Sequence, residues 1–308
     1  MAGRALLCFW GIVAVGGVAG IGGLAWMGGK TTPSPIASVS KAGKDAKMPP
    51  PLPFTENATR TEPPPKALPA VTGPHVAVVL GGFGYASELS ERVLNELPPE
   101  IGLLVSPYLH DLPALIQRAK AAGHEVYLDL PVQGASPDDT AVGPHALGYG
   151  NNPAQDLEAL RWNLERAPGI TGISVADTVQ RDAPSAPGYA ASPDFPPIAH
   201  VVTHDGLLVL VNGDQRPGIA HDLRSDSTIH LDADGATITR ALSQLTDRAI
   251  HGEYVLSVTD TVTPSGITAL KAWSADLTKQ GITLVAPSRM LAPDGFVQDA
   301  SHDAGNPT

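Results

Sequence analysis

The sequence predicts an α/β domain over residues 74–292, a closed barrel of alternating strands and helices. Three observations predict it. Short, almost wholly apolar runs of strand length recur from Val76 onward, and each is followed by Leu, Ile or Val at helical spacing. Seven or eight such units fit into about 215 residues, a density that suits a β/α barrel better than an open sheet. Strands this apolar need cover on both faces, which alternating helices supply over a parallel sheet. In such folds ligands bind outside the carboxyl ends of the strands, so functional residues are sought there.

Each element has its own signal. Val76-Ala77-Val78-Val79-Leu80 is the first strand and runs into Gly81-Gly82-Phe83-Gly84. Leu89, Val93 and Leu97 carry a helix that Pro98-Pro99 stop. Residues 101–105 form the second strand. The next helix takes Asp111 as its cap, Pro113 in its first turn and Gly123 past its end. A third strand spans 125–130, and Asn152-Pro153 open a helix with Leu157, Leu160 and Leu164 on one face. Strands at 170–175 and 207–211 flank a short helix at 198–204, and a short strand follows at 229–231. Ile238, Leu242, Leu245 and Ala249 mark a helix that ends near Gly252, and residues 254–258 are a strand. Thr263-Pro264 cap a helix carrying Ile267, Leu270 and Leu277, closed at Gly281. Residues 282–285 complete the set, and 293–308 are a polar tail expected to fray.

The amino-terminal part is of different material. Residues 5–29 are uncharged and include Leu6, Leu7, Phe9, Trp10, Ile12, Ile21, Leu24 and Trp26. Roughly 20 apolar residues cross a bilayer core as a helix. Residues 1–30 are therefore expected to be a single-pass anchor in the inner membrane, with Arg4 cytoplasmic and the domain in the periplasm. No clean small-x-small cleavage site follows, which favours retention over removal. Cys8, the single cysteine, lies inside this run, so the exported domain is held by its core without a disulfide. Residues 31–73 contain ten of the thirty prolines and few large apolar groups, the composition of a disordered, semi-rigid spacer. Up to Gly73 there are seven basic and three acidic residues, which leaves 13 basic and 28 acidic for the rest, a net near −15. A domain so acidic is repelled by phosphate backbones, and nucleic acid is excluded as a partner.

At the strand ends several segments fall into a recognisable order. They are the first strand with Gly84-Tyr85, then Ala119-Lys120-Ala121-Ala122-Gly123-His124-Glu125-Val126-Tyr127-Leu128 running into Leu130-Pro131. Gly143-Pro144-His145-Ala146-Leu147 and Pro168-Gly169-Ile170-Thr171-Gly172-Ile173 follow, and later Asp205-Gly206-Leu207, Ile219-Ala220 and Ile229-His230-Leu231-Asp232. This series resembles the divergent polysaccharide deacetylase family over residues 74–290, which implies a distorted β/α barrel of seven or eight strands. The resemblance also implies a chemistry, the metal-assisted removal of an acetyl group from an amino sugar. In that family an aspartate pair after the first strand supplies the base and a metal ligand, and two histidines complete the site. A divalent ion there polarises the amide carbonyl and lowers the pKa of its bound water.

This chain departs from that pattern at each position. The aspartate pair falls at Gly81 and Gly82, the first histidine at Asp129, the second at Ala176, and the late Gly-His-Pro near Val258-Thr259-Asp260. Glycine and alanine offer neither a base nor a ligand. The expectation is a protein without a metal or cofactor at the ancestral position. Its barrel mouth, around Gly81, Gly82, Tyr85, Asp129, Asp177, Asp232 and Asp260, is expected to bind a cell-envelope glycan or a periplasmic protein. The rival expectation is a hydrolase using a rebuilt carboxylate site around Asp129, Asp232 and Asp260. A blander one is a structural protein whose mouth is filled by Tyr85 and Tyr127.

Other residues have simpler roles. Aspartates past strand ends, including Asp177, Asp214, Asp232 and Asp260, are most simply caps of the following helix or solvated loop groups. His200 and His204, four apart on a helix, are placed by the chain order on the opposite rim, where an imidazole benefits from the helix dipole. Gly82-Phe83-Gly84 lacks the third glycine of a dinucleotide loop. Asp226, Ser227 and His230 carry no sign of a nucleophilic triad.

Overall fold

The computed structural model describes residues 71–133, 142–148, 150–176, 188–213, 222–225 and 227–291. The expected anchor, nearly all of the linker and the polar tail lie outside these residues. Among the described residues no helix is long and apolar enough to cross a membrane.

The strands are β1 (His75–Phe83), β2 (Gly102–Val105), β3 (Val126–Asp129), β4 (Val132–Gln133), β5 (Leu147–Gly148) and β6 (Gly172–Ala176). They continue with β7 (Leu208–Asn212), β8 (Asp222–Ser225), β9 (Ser227–Ile229), β10 (Leu256–Thr259) and β11 (Thr283–Leu284). The helices are α1 (Ser87–Glu96), α2 (Leu112–Ala121), α3 (Pro153–Arg166), α4 (Phe195–His204), α5 (Gly235–Ile250) and α6 (Pro264–Leu277). Eight strands pair in the order β8-β7-β6-β3-β2-β1-β10-β9, and every pairing is parallel. The barrel is nearly closed, since its end strands β8 and β9 are separated by one residue. The Arg224 amide at that seam donates to the Tyr254 hydroxyl at 3.3 Å. β11 adds in parallel to the start of β1, and β4–β5 form a small separate ladder.

Alternation along the strands divides the core in two, because successive side chains point to opposite faces. Val76, Val78 and Leu80 of β1 pack outward under the helices, with Leu103, Leu128, Ile173, Val175 and Val209. Ala77, Val79, Tyr127, Leu210, Leu223, Leu256 and Val258 fill the interior. Fully burying each such Val or Leu contributes about 1.5–3 kcal/mol, so both faces of the wall are apolar by necessity. The floor is closed by the turn at residues 287–290. There the Glu125 carboxylate accepts from the Tyr127 hydroxyl (2.8 Å), the Ser288 amide (3.0 Å) and the Ser288 hydroxyl.

The helix caps explain why the elements start where they do. Asn152 accepts from the Ala154 and Gln155 amides, and Gln155 accepts from the Asn152 amide, a complete capping box on α3. Asp156, buried one turn in, accepts from the Gly148 amide, Asn151 and the Tyr189 hydroxyl, which ties β5 to α3. Thr263 caps α6 through the Gly266 amide as expected. Asp111 stands at the N-cap of α2 but makes no capping bond, its backbone being left-handed (φ 50°) and not the extended form usual at an N-cap. The short strand expected at 229–231 is instead Ser227–Ile229, so His230, Leu231 and Asp232 lie past its end.

Candidate functional site

The mouth of the barrel is formed by the carboxyl ends of the strands. At β1 the alternation that turns Ala77 and Val79 inward also turns Gly81 inward. A Cβ on Gly81 would lie 2.1 Å from the Thr259 carbonyl oxygen of β10, far inside any real contact. The Gly81 amide donates to the Thr259 hydroxyl at 3.0 Å, so the two strand ends are drawn together. Gly82 has φ +74°, and its Cβ would meet the Thr261 Cα at 3.2 Å. The register of β1 against β2 shifts between Leu80 and Phe83, a bulge that turns the chain out of the sheet here. The residues that stand where the family's metal would bind therefore do not fit one. Gly81 and Gly82 carry no carboxylate, and the backbone of β10 fills the space one would need.

Asp129 ends β3 on the inward side, in parity with Tyr127. It contacts solvent, yet the walls around it displace enough water to push its carboxyl up to about 6. Beside it on the next strands, Asn212 donates to the Ser174 hydroxyl at 2.8 Å. On the β1–β2 sector Tyr85 is 71% exposed and Tyr108 is 38% exposed. Tyr127 is fully buried in the barrel interior, whereas Tyr85 stands out in solvent and fills nothing.

The β9–β10 sector gathers titratable groups. The pairing of Thr259 with Ile229 sets the two following residues, Asp260 and His230, side by side. His230 Nδ1 lies 2.6 Å from Asp260 Oδ2, and Asp260 Oδ1 accepts from the Leu231 amide at 3.1 Å. The imidazole is 49% exposed and the Asp260 carboxylate 16%. Asp232, exposed, completes a trio whose candidate ligand atoms all lie within 4.8 Å of one another.

Of the two simple roles expected for Asp232 and Asp260, helix cap or solvated loop group, the structure rules out the cap. Asp234, not Asp232, caps α5, accepting from the Ala236 and Thr237 amides. Thr263, not Asp260, caps α6. The rebuilt carboxylate site is corrected in the same way. Asp232 and Asp260 do converge, but their third member is His230, and Asp129 joins no such group among the described residues. Sequence reasoning passed over His230 as a surface residue. The available signal was its place directly after a strand and two residues before Asp232.

Asp177, Asp214 and Asp226 lie outside the described residues. Ser227 is tied to Ser257 through its hydroxyl (3.1 Å). His204 pairs with Asp205 at 3.5 Å at the far end of α4, and the His200–His204 pair belongs to no group of three metal-ligating residues among the described ones.

Residues 78–176, from β1 to β6, match the family model described as divergent polysaccharide deacetylase. Among solved structures, the chain is similar to an uncharacterized protein, ATU2773, from Agrobacterium tumefaciens C58. That likeness has 25% identity and a TM-score of 0.60, over 71% of this chain and 89% of that one. A T48 deacetylase solved with substrate has 15% identity and a TM-score of 0.43, over 70% and 90% of the two chains. A mutant of BA3943, described as a CE4 family pseudoenzyme with restored enzymatic activity, has 12% identity and a TM-score of 0.43, over 71% and 68%. No curated protein matches the sequence.

Proposed function

We propose, from the match of residues 78–176 to the model of divergent polysaccharide deacetylases, that the chain binds cell-envelope carbohydrate at its barrel mouth without running that family's hydrolysis. The observation that carries this reading is the packing of Gly81 against Thr259. Hydrolysis of an amide at the ancestral position needs a carboxylate at the end of β1, both as base and as ligand. A Cβ there meets backbone at 2.1 Å. Backbone does not yield as a flexible side chain does, so the loss is built into the β1–β10 contact.

What remains in the mouth suits a sugar. Tyr85 and Tyr108 offer exposed rings for the apolar faces of pyranosides, and the exposed Asp129 carboxyl offers a partner for hydroxyls. The uncharged run at residues 5–29 supports tethering to the inner membrane with the domain in the periplasm.

The test is calorimetric titration of the full-length chain in detergent with an N-acetylated β-linked glucosamine tetramer. Saturable binding, weakened by Tyr85→Ala and by Tyr108→Ala, supports the reading. Absence of binding to this probe and to its deacetylated form opposes it. Resistance of the chain to alkaline extraction from membranes tests the tether.

A second reading, a hydrolase working from a rebuilt site, is favoured by one observation, the convergence of His230, Asp232 and Asp260. Acetate release that disappears in both His230→Ala and Asp232→Asn would select it over the first.

A further inference from the structure

We infer that His230, Asp232 and Asp260 form a divalent-cation site of the zinc class in the β9–β10 sector of the mouth, one that uses none of Gly81, Gly82, Asp129 and Ala176, where the family's base and ligands fall. The inference goes beyond the carbohydrate reading and does not rest on it.

The spacing supports it first. Zinc takes nitrogen and oxygen donors at about 2.0–2.2 Å in a tetrahedron, so two donors on one ion stand about 3.4 Å apart. The three candidate donor atoms already lie within 4.8 Å of one another, so side-chain rotations that close the widest gap by about 1.5 Å bring them onto a common ion. The positions are fixed by the fold rather than by chance contact of flexible tails. His230 and Asp260 directly follow the paired residues Ile229 and Thr259, and the Leu231 amide holds the Asp260 carboxylate.

Helix capping, one bland role for these acids, is taken by other residues. Asp234 and Thr263 cap the two adjoining helices, so neither Asp232 nor Asp260 is needed there. The ion class follows from the donor set. One imidazole with two carboxylates suits zinc or manganese, whereas calcium and magnesium favour oxygen alone. Three protein donors leave a position open toward solvent, where a sugar hydroxyl or water has access.

The test uses the full-length chain, stripped with chelator and titrated calorimetrically with zinc chloride alone. One equivalent is expected, with affinity lowered at least about tenfold in His230→Ala and in Asp232→Asn, and unchanged in His204→Ala. On the unmutated chain, zinc is expected to protect His230 from diethyl pyrocarbonate, read by peptide mass spectrometry. Binding of less than one equivalent, parental affinity in either of these two variants, or an unprotected His230 would each overturn the inference. No glycan is present in this experiment, so its failure leaves the carbohydrate reading intact. Loss of glycan binding with zinc still bound would oppose only that reading.

Discussion

Replacing Gly81 tests the physics of the emptied site. Alanine at this position places a Cβ 2.1 Å from the Thr259 carbonyl oxygen. Ordinary contact requires about 3.5 Å, so β10 must retreat by more than about 1 Å. It cannot do so freely, being paired with β1 on one side and β9 on the other. Overpacking of this kind costs about 1–3 kcal/mol, and loss of the Gly81 amide bond to the Thr259 hydroxyl adds about 1 kcal/mol. The expected destabilisation is about 2–4 kcal/mol. For a domain of this size that lowers Tm by about 5–15 °C. Thermal unfolding of Gly81→Ala, Gly81→Asp and Gly235→Ala measures it. Gly235 opens α5 with nothing within 4 Å of its Cβ, so its alanine variant is expected to unfold within about 1 °C of the parent. If Gly81→Ala also unfolds within about 1 °C of the parent, the steric argument is wrong. Deacetylase activity in Gly81→Asp alone would refute it from the other side.

Three further outcomes follow from the same contacts. Asp129 is raised to about 6 in the folded chain, above its unfolded value of about 3.9. It therefore destabilises at neutral pH, an effect absent below about pH 4 that grows as pH rises through about 6. Asp129→Asn should raise Tm at pH 8 and leave it unchanged near pH 3.5. His124 is buried and bonded to the Ile101 carbonyl, and burial lowers its pKa below the unfolded value of about 6.5. Its neutral form is the folded one, so stability is lost as pH falls below about 6.5, and His124→Gln should show a weaker acid-side decline in urea titrations. Asp156→Ala leaves the Gly148 amide, Asn151 and the Tyr189 hydroxyl without their acceptor in the core, and urea denaturation should show a loss of about 3 kcal/mol. A loss under about 1 kcal/mol would mean that water reaches the network.

Much of the barrel was legible because its signals are local. Val76 to Leu80 is apolar at every position, Asn152-Pro153 opens one helix, and Thr263-Pro264 opens another. Each of these acts within a few residues. β8 and the β4–β5 ladder were not legible, since three of the four residues of Asp222–Ser225 are polar and two-residue strands carry no period. The reason for glycine at 81 was also hidden, because it lies in a carbonyl 178 residues away. The cluster of His230 with Asp260 depends on the β9–β10 register in the same way. Asp232 and Asp260 were identifiable as mouth residues by their place after strands. Which of them share one point in space is a property of the pairing, and the pairing separates Asp129 from both.

The most direct measurement is a proton NMR time course of the N-acetylated glucosamine tetramer with the full-length chain and excess zinc. The account predicts broadened sugar resonances from binding, and an acetyl methyl signal that stays on the sugar with no free acetate. Accumulation of free acetate over many turnovers would contradict it.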